Sequence, residues 1–275
     1  MKQTTITLND GVEIPQLGLG LWQTGAGEAA EVVAAALETG YRHLDTAVIY
    51  GNEEGVGQGI ARANVPRDEL FVTTKVWNDA QGFDATLRAA RQSLARLRLD
   101  YVDLYLIHWP APRRGLYVET WRALIRLREE GLARAIGVSN FEPEHIEQVI
   151  AETGVTPAIN QIELHPRFQQ RALRAFHAER GIVTESWAPL GRSRFFDDPV
   201  IVRLAAKHGR TPAQIVIRWH LDEGLVAIPK TVRRERLREN FDVFGFALDA
   251  RDRADLATLD RADGRTGPDP MTATF

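Results

Sequence analysis

The chain has 275 residues, with 34 lysines and arginines against 37 aspartates and glutamates, and a formal net charge of −3. This near-neutral balance argues against a nucleic-acid or membrane-surface partner, and the lack of cysteine excludes disulfides, thiolate catalysis and cysteine-ligated zinc. The amino-terminal residues carry no apolar signal core, and no stretch approaches the roughly 18 apolar residues of a membrane span. We therefore expect a soluble, cytoplasmic protein without a membrane or nucleic-acid partner.

The predicted elements follow one repeating order. Residues 6–20 read as a β-hairpin that turns at Asn9-Asp10-Gly11. Short apolar runs typical of strands then alternate with amphipathic helical patterns, several of which end in glycine. The eight strand-like runs are residues 17–19, 41–44, 70–74, 102–107, 134–138, 158–162, 182–185 and 225–228. Strands that alternate with helices pair in parallel, either in an open doubly wound sheet or in a closed barrel.

The residues that end these runs favour the closed barrel. Each run finishes in a polar or bulky residue, and seven of these are Asp45, Lys75, His108, Asn140, Gln161, Trp187 and Lys230. In a (β/α)₈ barrel the functional groups gather at the carboxyl ends of the strands, and such a barrel commonly needs about 250 residues. Since no linker interrupts the series, we predict an α/β fold, a (β/α)₈ TIM barrel with an N-terminal β-hairpin, formed as one domain over residues 1–275.

Four residues at or just after three strand ends form a candidate catalytic set: Asp45, Tyr50, Lys75 and His108. A tyrosine has an ordinary pKa of about 10 and is a poor acid at neutral pH. A buried ammonium beside it would lower that pKa, and a carboxylate would anchor the ammonium. The set therefore predicts proton donation by Tyr50 to a developing alkoxide, with His108 orienting the substrate oxygen or sharing the proton relay.

Each of the four also has an ordinary structural interpretation. Asp45 could cap a turn, Tyr50 could pack in the core, and His108 could be a hydrogen-bonded core histidine. Lys75 is the hardest to explain in this way, because the chain has only 4 lysines beside 30 arginines and this one ends an apolar run. The joint pattern therefore favours catalysis.

The chain resembles the aldo-keto reductase family in several blocks that occur in the family's order. They are the segments YRHLDTA and YGNE at residues 41–47 and 50–53, LIHWP at 106–110, GVSNF at 137–141, NQIE at 160–163 and IPK at 228–230. The resemblance is closest to bacterial members of the 2,5-diketo-D-gluconate reductase type. It implies a barrel that uses NADPH to reduce aldehydes and ketones, with Tyr50 as general acid, Lys75 and Asp45 as its partners, and His108 orienting the carbonyl.

The same resemblance implies a cofactor site, whereas residues 55–59 are a poor match to a Rossmann fingerprint. Ser139, Asn140 and Gln161 would bind the nicotinamide carboxamide, and Trp187 would stack on its ring. Lys230, Thr231 and Arg236 would bind the 2′-phosphate with charge-assisted hydrogen bonds. The other expected cofactor residues are Ala188, Leu190, Val232, Glu239 and Asn240. Ordinary loop capping and a solvated basic helix face are the alternative interpretations.

The substrate pocket is expected at the mouth of the barrel. Trp22, Trp77 and Trp109 each follow a strand end and would form its wall together with Tyr50 and His108, although tryptophans can also be core anchors. The connection after His108 is short and the tail after residue 260 is brief and polar, which favours an open site for small or polar carbonyls, including keto-sugar acids such as 2,5-diketo-D-gluconate. Arg113 and Arg114 could attract an acidic sugar or could be plain surface charge.

Two other functions compete with an NADP-dependent aldo-keto reductase of the alcohol dehydrogenase and carbonyl reductase class. The first is a non-catalytic NADPH-binding sensor or regulatory subunit of the same fold, which the intact set of Asp45, Tyr50, Lys75 and His108 disfavours. The second is a metal-dependent barrel hydrolase, which lacks a convincing ligand set, so we predict no metal. We expect the protein to act as a monomer on a small-molecule carbonyl substrate.

Overall fold

The N-terminal hairpin covers one end of the molecule. A computed structural model describes residues 3–275, and its first two strands, β1 (Thr5–Thr7) and β2 (Glu13–Pro15), pair in antiparallel fashion. Gly11, in the predicted turn, has a φ of 85°, a left-handed conformation that glycine adopts without strain. Leu8 and Ile14 of the hairpin pack against apolar side chains inside the barrel. The hairpin therefore contributes to the barrel's core.

Eight parallel strands form the barrel and lie within two residues of the predicted runs. They are β3 (Gly18–Gly20), β4 (His43–Asp45), β5 (Phe71–Val76), β6 (Val102–Ile107), β7 (Ala133–Ser139), β8 (Ile159–Glu163), β9 (Val183–Trp187) and β10 (Val226–Ala227). Each strand pairs with the next one along the chain. Parallel bridges from Leu17 to Ala227 and from Gly20 to Lys230 join the last strand to the first. The predicted (β/α)₈ barrel with its N-terminal hairpin is confirmed.

Ten α-helices within residues 3–275 surround the barrel. They are α1 (Ala26–Thr39), α2 (Glu53–Ala63), α3 (Phe83–Leu97), α4 (Tyr117–Glu129), α5 (Pro143–Thr153), α6 (Arg171–Glu179), α7 (Pro199–His208), α8 (Pro212–Asp222), α9 (Arg234–Phe241) and α10 (Ala250–Ala257). Thr211 caps α8 in a capping box with Gln214, and Gly40 ends α1 in the left-handed conformation. Both α7 and α8 lie between β9 and β10, so two helices separate the last two strands.

Alternate residues of each strand point to opposite sides of the barrel wall. On β4 and β5, Leu44 and Val72 pack between the wall and the helices, whereas Phe71 packs in the barrel interior. By the same period of two, Asp45 and Lys75 point inward, and they meet there at the carboxyl ends of their strands. The strand period thus places this charged pair inside the barrel.

Membrane-spanning helices and metal-binding clusters are both absent from residues 3–275. None of the helices in residues 3–275 combines the length and the apolar character needed to cross a membrane. In the same range, no three histidine, aspartate or glutamate side chains cluster in a way that could hold a metal ion.

Candidate active site

A cavity of about 1080 Å³ opens at the carboxyl ends of the strands, where barrels of this kind hold their functional groups. The predicted residues that line it are Trp22, Asp45, Tyr50, Trp77, His108, Trp109, Ser139, Asn140, Gln161, Trp187, Ala188, Leu190, Lys230, Thr231, Arg236, Glu239 and Asn240. Two predicted residues are placed elsewhere. Lys75 is completely buried behind the lining, and the Val232 side chain packs against the core between barrel and helices.

Lys75 and Asp45 form a buried ion pair under the cavity. The Lys75 Nζ donates to Asp45 Oδ1 at 2.6 Å and to the carbonyl oxygen of Thr46 at 2.9 Å, and neither charged side chain is more than 2% exposed. Burial by itself lowers the pKa of Lys75 and is the largest single influence, but the charge and hydrogen bond of Asp45 together with the charges of Tyr50 and Glu185 outweigh it and hold the pKa above its ordinary value. The amine therefore stays cationic at physiological pH.

Tyr50 is held beside this ammonium by a short, well-anchored loop. Its ring centroid lies 5.3 Å from Lys75 Nζ. Tyr50 ends a single helical turn, and Gly51 follows it with a φ of 66°. Behind the loop, the Asn52 side chain accepts from the Thr46 hydroxyl at 2.6 Å and donates to the carbonyl oxygen of Leu21 at 2.9 Å. These buried hydrogen bonds fix the loop that positions the phenol.

The net pKa shift of Tyr50 differs from the prediction. Burial raises the pKa of Tyr50 to about 12, because desolvation penalises the phenolate. The Lys75 charge acts in the predicted direction and lowers the pKa, but it offsets only part of the cost of burial, and the Asp45 charge adds to that cost. Tyr50 is therefore a protonated acid at neutral pH, with a cation in place to stabilise the phenolate once the proton has left.

His108 adds a second polar atom beside the phenol. Its Nε2 lies 3.5 Å from Tyr50 Oη. The peptide of His108 is fixed at both ends, since its N–H donates to the Val76 carbonyl at 3.2 Å and its carbonyl accepts from Asn140 Nδ2 at 3.0 Å. Burial and the Lys75 charge lower the pKa of His108 well below its ordinary value. The imidazole is therefore neutral and can donate or accept one hydrogen bond toward a ligand oxygen.

One part of the cavity carries a connected set of amides beside an indole. Asn140, at a φ of 61°, donates to Ser139 Oγ at 3.0 Å, and its Oδ1 accepts from Trp187 Nε1 at 2.8 Å. Ser139 Oγ donates in turn to the carbonyl oxygen of Gln161. The Gln161 Nε2 donates to Asp45 Oδ2 at 2.8 Å and to Glu185 Oε2 at 2.9 Å. These contacts fix the indole and the amides relative to the ion pair.

The opposite part of the cavity is basic. Lys230 follows β10, and Arg236 lies on α9. Both are exposed, and neither forms an ion pair within residues 3–275, whereas the neighbouring Arg234 pairs with Glu38 at 3.1 Å. Thr231 lies between them and is buried, and its hydroxyl accepts from the N–H of Arg233. Two uncompensated cations beside a hydroxyl are suited to a phosphate group.

The C-terminal tail lines part of the cavity. The sequence had predicted an open site without a contribution from the tail. The buried carboxylate of Glu163 accepts from the N–H groups of Thr266 at 2.6 Å and Gly267 at 2.9 Å, and Gly267 lines the cavity. Further on, the Phe275 ring stacks on Trp77, with ring centroids 5.6 Å apart and planes at 16°. The tail thus supplies part of the wall beside the predicted substrate residues.

Sequence reasoning missed Glu185, Glu163 and Phe275. The strand period of two could have indicated the two glutamates, because each lies two residues from a predicted site residue on the same strand. Glu185 precedes Trp187 by two residues, and Glu163 follows Gln161 by two. Phe275 carried no such signal, since its neighbour Trp77 is far away in the chain. Arg113 and Arg114 do not line the cavity.

Comparison with known proteins assigns the class that this barrel and site define. The model of the aldo/keto reductase family matches residues 16–261, so the chain belongs to the aldo/keto reductase family.

Individual relatives are similar over nearly the whole length. Methylglyoxal reductase DkgA of Escherichia coli is 54% identical over 269 residues, covering 97% of each chain. An aldo-keto reductase of Mycolicibacterium smegmatis is 54% identical over 98% of each. Among solved structures, a mutant of Gox0644 in complex with NADPH is 56% identical, covers 100% of both chains and superposes with a TM-score of 0.97.

Proposed function

We propose that this protein is an NADPH-dependent reductase that converts aldehydes and ketones to alcohols. The observation that carries the proposal is the Tyr50 phenol, which faces a large cavity between the neutral imidazole of His108 and the buried Lys75–Asp45 pair. Membership of the aldo/keto reductase family supports it, as do the NADPH bound to a structural relative and the carbonyl substrate in the name of DkgA.

The cavity has the chemistry that NADPH requires. Lys230, Thr231 and Arg236 would hold the 2′-phosphate through charge-assisted hydrogen bonds, while the indole of Trp187 offers a face for the nicotinamide ring. Ser139, Asn140 and Gln161 would hold the carboxamide, and Ala188, Leu190, Glu239 and Asn240 complete the lining. Val232 would contribute through its backbone, since its side chain packs in the core. When bound, NADPH supplies the hydride that is added to the carbonyl carbon.

The protein's own residues supply the proton and the orientation. His108 Nε2 and Tyr50 Oη, 3.5 Å apart, together hold the carbonyl oxygen. As the carbon receives the hydride, that oxygen becomes an alkoxide, and Tyr50 transfers its proton to it, leaving the alcohol and a phenolate. An alkoxide is a much stronger base than a phenolate, so this transfer is downhill even with the pKa of Tyr50 near 12. Lys75 stabilises the phenolate until a solvent proton replaces the one transferred.

The walls of the cavity favour small or polar carbonyl compounds. Trp22, Trp77 and Trp109 line it on the substrate side, and the Phe275 ring contacts both Trp77 and Trp109. Methylglyoxal, from the name of the relatives, is the first compound to test, followed by keto-sugar acids such as 2,5-diketo-D-gluconate. Because all the residues in these roles come from one barrel, we propose that the chain acts as a single-domain monomer.

The test follows NADPH oxidation spectroscopically with a panel of carbonyl compounds, in parallel with NADH. Tyr50→Phe should lower kcat by about 10²- to 10⁴-fold, the range for a positioned general acid, with NADPH binding retained. Tyr117→Phe is the matched control, since Tyr117 lies on α4 and does not line the cavity; it should leave kcat unchanged.

Three results would each contradict a part of the proposal. Wild-type rates in Tyr50→Phe would remove Tyr50 as the acid. NADPH binding without reduction of any compound in the panel would favour the non-catalytic sensor instead. A strong preference for NADH would contradict the role given to Lys230, Thr231 and Arg236.

A further inference from the structure

A second carboxyl group lies inside the barrel beside the catalytic ion pair and has no part in the mechanism above. Glu185 is on β9, is completely buried, and points inward next to Gln161 in the neighbouring strand β8. Its Oε2 accepts from Gln161 Nε2 at 2.9 Å. Its Oε1 has no hydrogen-bond partner within residues 3–275, and the nearest ionisable nitrogen is His43 Nε2 at 3.6 Å. Burying a polar group in this way is costly and calls for a functional explanation.

The position of Glu185 determines which atom of the Gln161 amide faces the cavity. A glutamine amide has two N–H donors on one side and one oxygen acceptor on the other. Here one N–H reaches Asp45 Oδ2 at 2.8 Å and the other reaches Glu185 Oε2 at 2.9 Å. A flipped amide would place its oxygen against the Asp45 carboxylate, which can only accept a hydrogen bond. Both donors are therefore committed inside the barrel, and the amide oxygen is left for a ligand in the cavity.

We propose that Glu185 is a positioning residue that acts through Gln161: with Asp45, it takes both amide hydrogens of Gln161 and so presents the amide oxygen to the nicotinamide carboxamide. This inference rests on the proposed function, because it takes the carboxamide to lie beside Gln161. Asp45 alone would leave one N–H free, and the amide could then rotate. Glu185 supplies the second contact that prevents this rotation.

The charged and titratable groups around Glu185 are consistent with this role. Facing it are His43 and Asp45 on β4, Lys75 on β5 and Gln161 on β8. Burial and the Asp45 charge raise the pKa of Glu185 to about 8, and burial lowers the pKa of His43 to about 3. Near neutral pH the Glu185 side chain is therefore uncharged, and it accepts from Gln161 without adding a second negative charge beside Asp45.

The experiment is a double-mutant cycle on NADPH affinity, measured by fluorescence titration of the folded protein at pH 7. Glu185→Met removes the acceptor at similar volume, and Gln161→Ala removes the amide. Each should raise the Kd for NADPH by about tenfold, as expected for one lost buried hydrogen bond, and the double variant should bind no more weakly than Gln161→Ala alone. Glu185→Gln retains an acceptor oxygen and should stay within about threefold of wild type.

The inference is overturned if Glu185→Met weakens NADPH binding by the same factor in the presence and in the absence of Gln161. It is also overturned if Glu185→Met or Gln161→Ala leaves the affinity for NADPH unchanged. These outcomes differ from failure of the proposed function, in which the wild-type protein itself would not bind NADPH or reduce a carbonyl compound. Circular dichroism checks that each variant is folded. If Glu185→Met does not fold, the cycle is run with Glu185→Ser, whose smaller side chain leaves room for water.

Discussion

The buried carboxyl of Glu185 predicts a specific pH dependence of stability. In the unfolded chain a glutamate ionises with a pKa near 4.5, whereas burial and the Asp45 charge raise the pKa of folded Glu185 to about 8. Between these values the unfolded state has lost a proton that the folded state keeps. The contribution of Glu185 to the free energy of unfolding therefore falls as pH rises, by about 1.4 kcal/mol per pH unit, and becomes constant above pH 8.

Glu185→Gln isolates this contribution. The amide resembles the protonated carboxyl in shape and cannot ionise, so the variant lacks the downward slope. His43, whose pKa burial lowers to about 3, titrates in both proteins and cancels in the comparison. From pH 5 to pH 8 the variant should gain stability relative to wild type, by up to about 4 kcal/mol over the three units.

The assay is urea unfolding of both proteins at pH 5, 6.5 and 8, followed by circular dichroism. Glu38→Gln is the control, because Glu38 is an exposed carboxylate paired with Arg234, and its curve should stay nearly parallel to that of wild type. A constant difference between Glu185→Gln and wild type at all three pH values would show that Glu185 is already ionised at pH 5, and would refute the reasoning.

Two further predictions concern the basic end of the cavity and the tail. In a fluorescence titration, Arg236→Ala should raise the Kd for NADPH by about 10- to 100-fold, because a charge-assisted hydrogen bond to phosphate is lost. The Kd for NADH should stay unchanged. Arg234→Ala is the control, since Arg234 lies on the same helix but pairs with Glu38, and it should change neither Kd. Glu163→Ala removes the carboxylate that accepts hydrogen bonds from the tail. Amide hydrogen exchange in residues 266–275, measured by mass spectrometry, should therefore become at least about tenfold faster. Exchange in α3 should stay the same. Unchanged exchange in the tail would show that other contacts hold it.

The barrel and the placement of Asp45 and Lys75 at its carboxyl end could be predicted because both depend on local periodicity. Alternation of strands and helices determined the topology, and the period of two within β4 and β5 places Asp45 and Lys75 inside the barrel at adjacent strand ends. Tyr50 and His108 were predicted in the same way, from their places at or just after strand ends, and the family resemblance implies the same roles for them. For these residues, position in the chain largely determines position in space.

The parts that could not be predicted depend on distances or on contacts between distant segments. The net pKa of Tyr50 results from burial, Lys75 and Asp45 acting together, and only the structure gives their relative sizes. The stacking of Phe275 on Trp77 joins residues about 200 positions apart and follows from no periodic pattern. The partnership of Glu185 with Gln161 required the strand register, which pairs these two residues directly.

The barrel closes between its first strand, β3, and its last strand, β10, and this closure links ligand binding to unfolding. The last strand, β10, has only two residues, and the sheet is completed by single bridges, one of which joins Gly20 to Lys230. A side chain at Gly20 would meet the Ile228 carbonyl oxygen at 2.6 Å, so the two edges approach closely here. A phosphate bound by Lys230, as proposed above, would therefore also stabilise the barrel where single bridges join its first and last strands. Partial opening of the barrel should begin at these bridges in the free protein and be suppressed when the dinucleotide is bound.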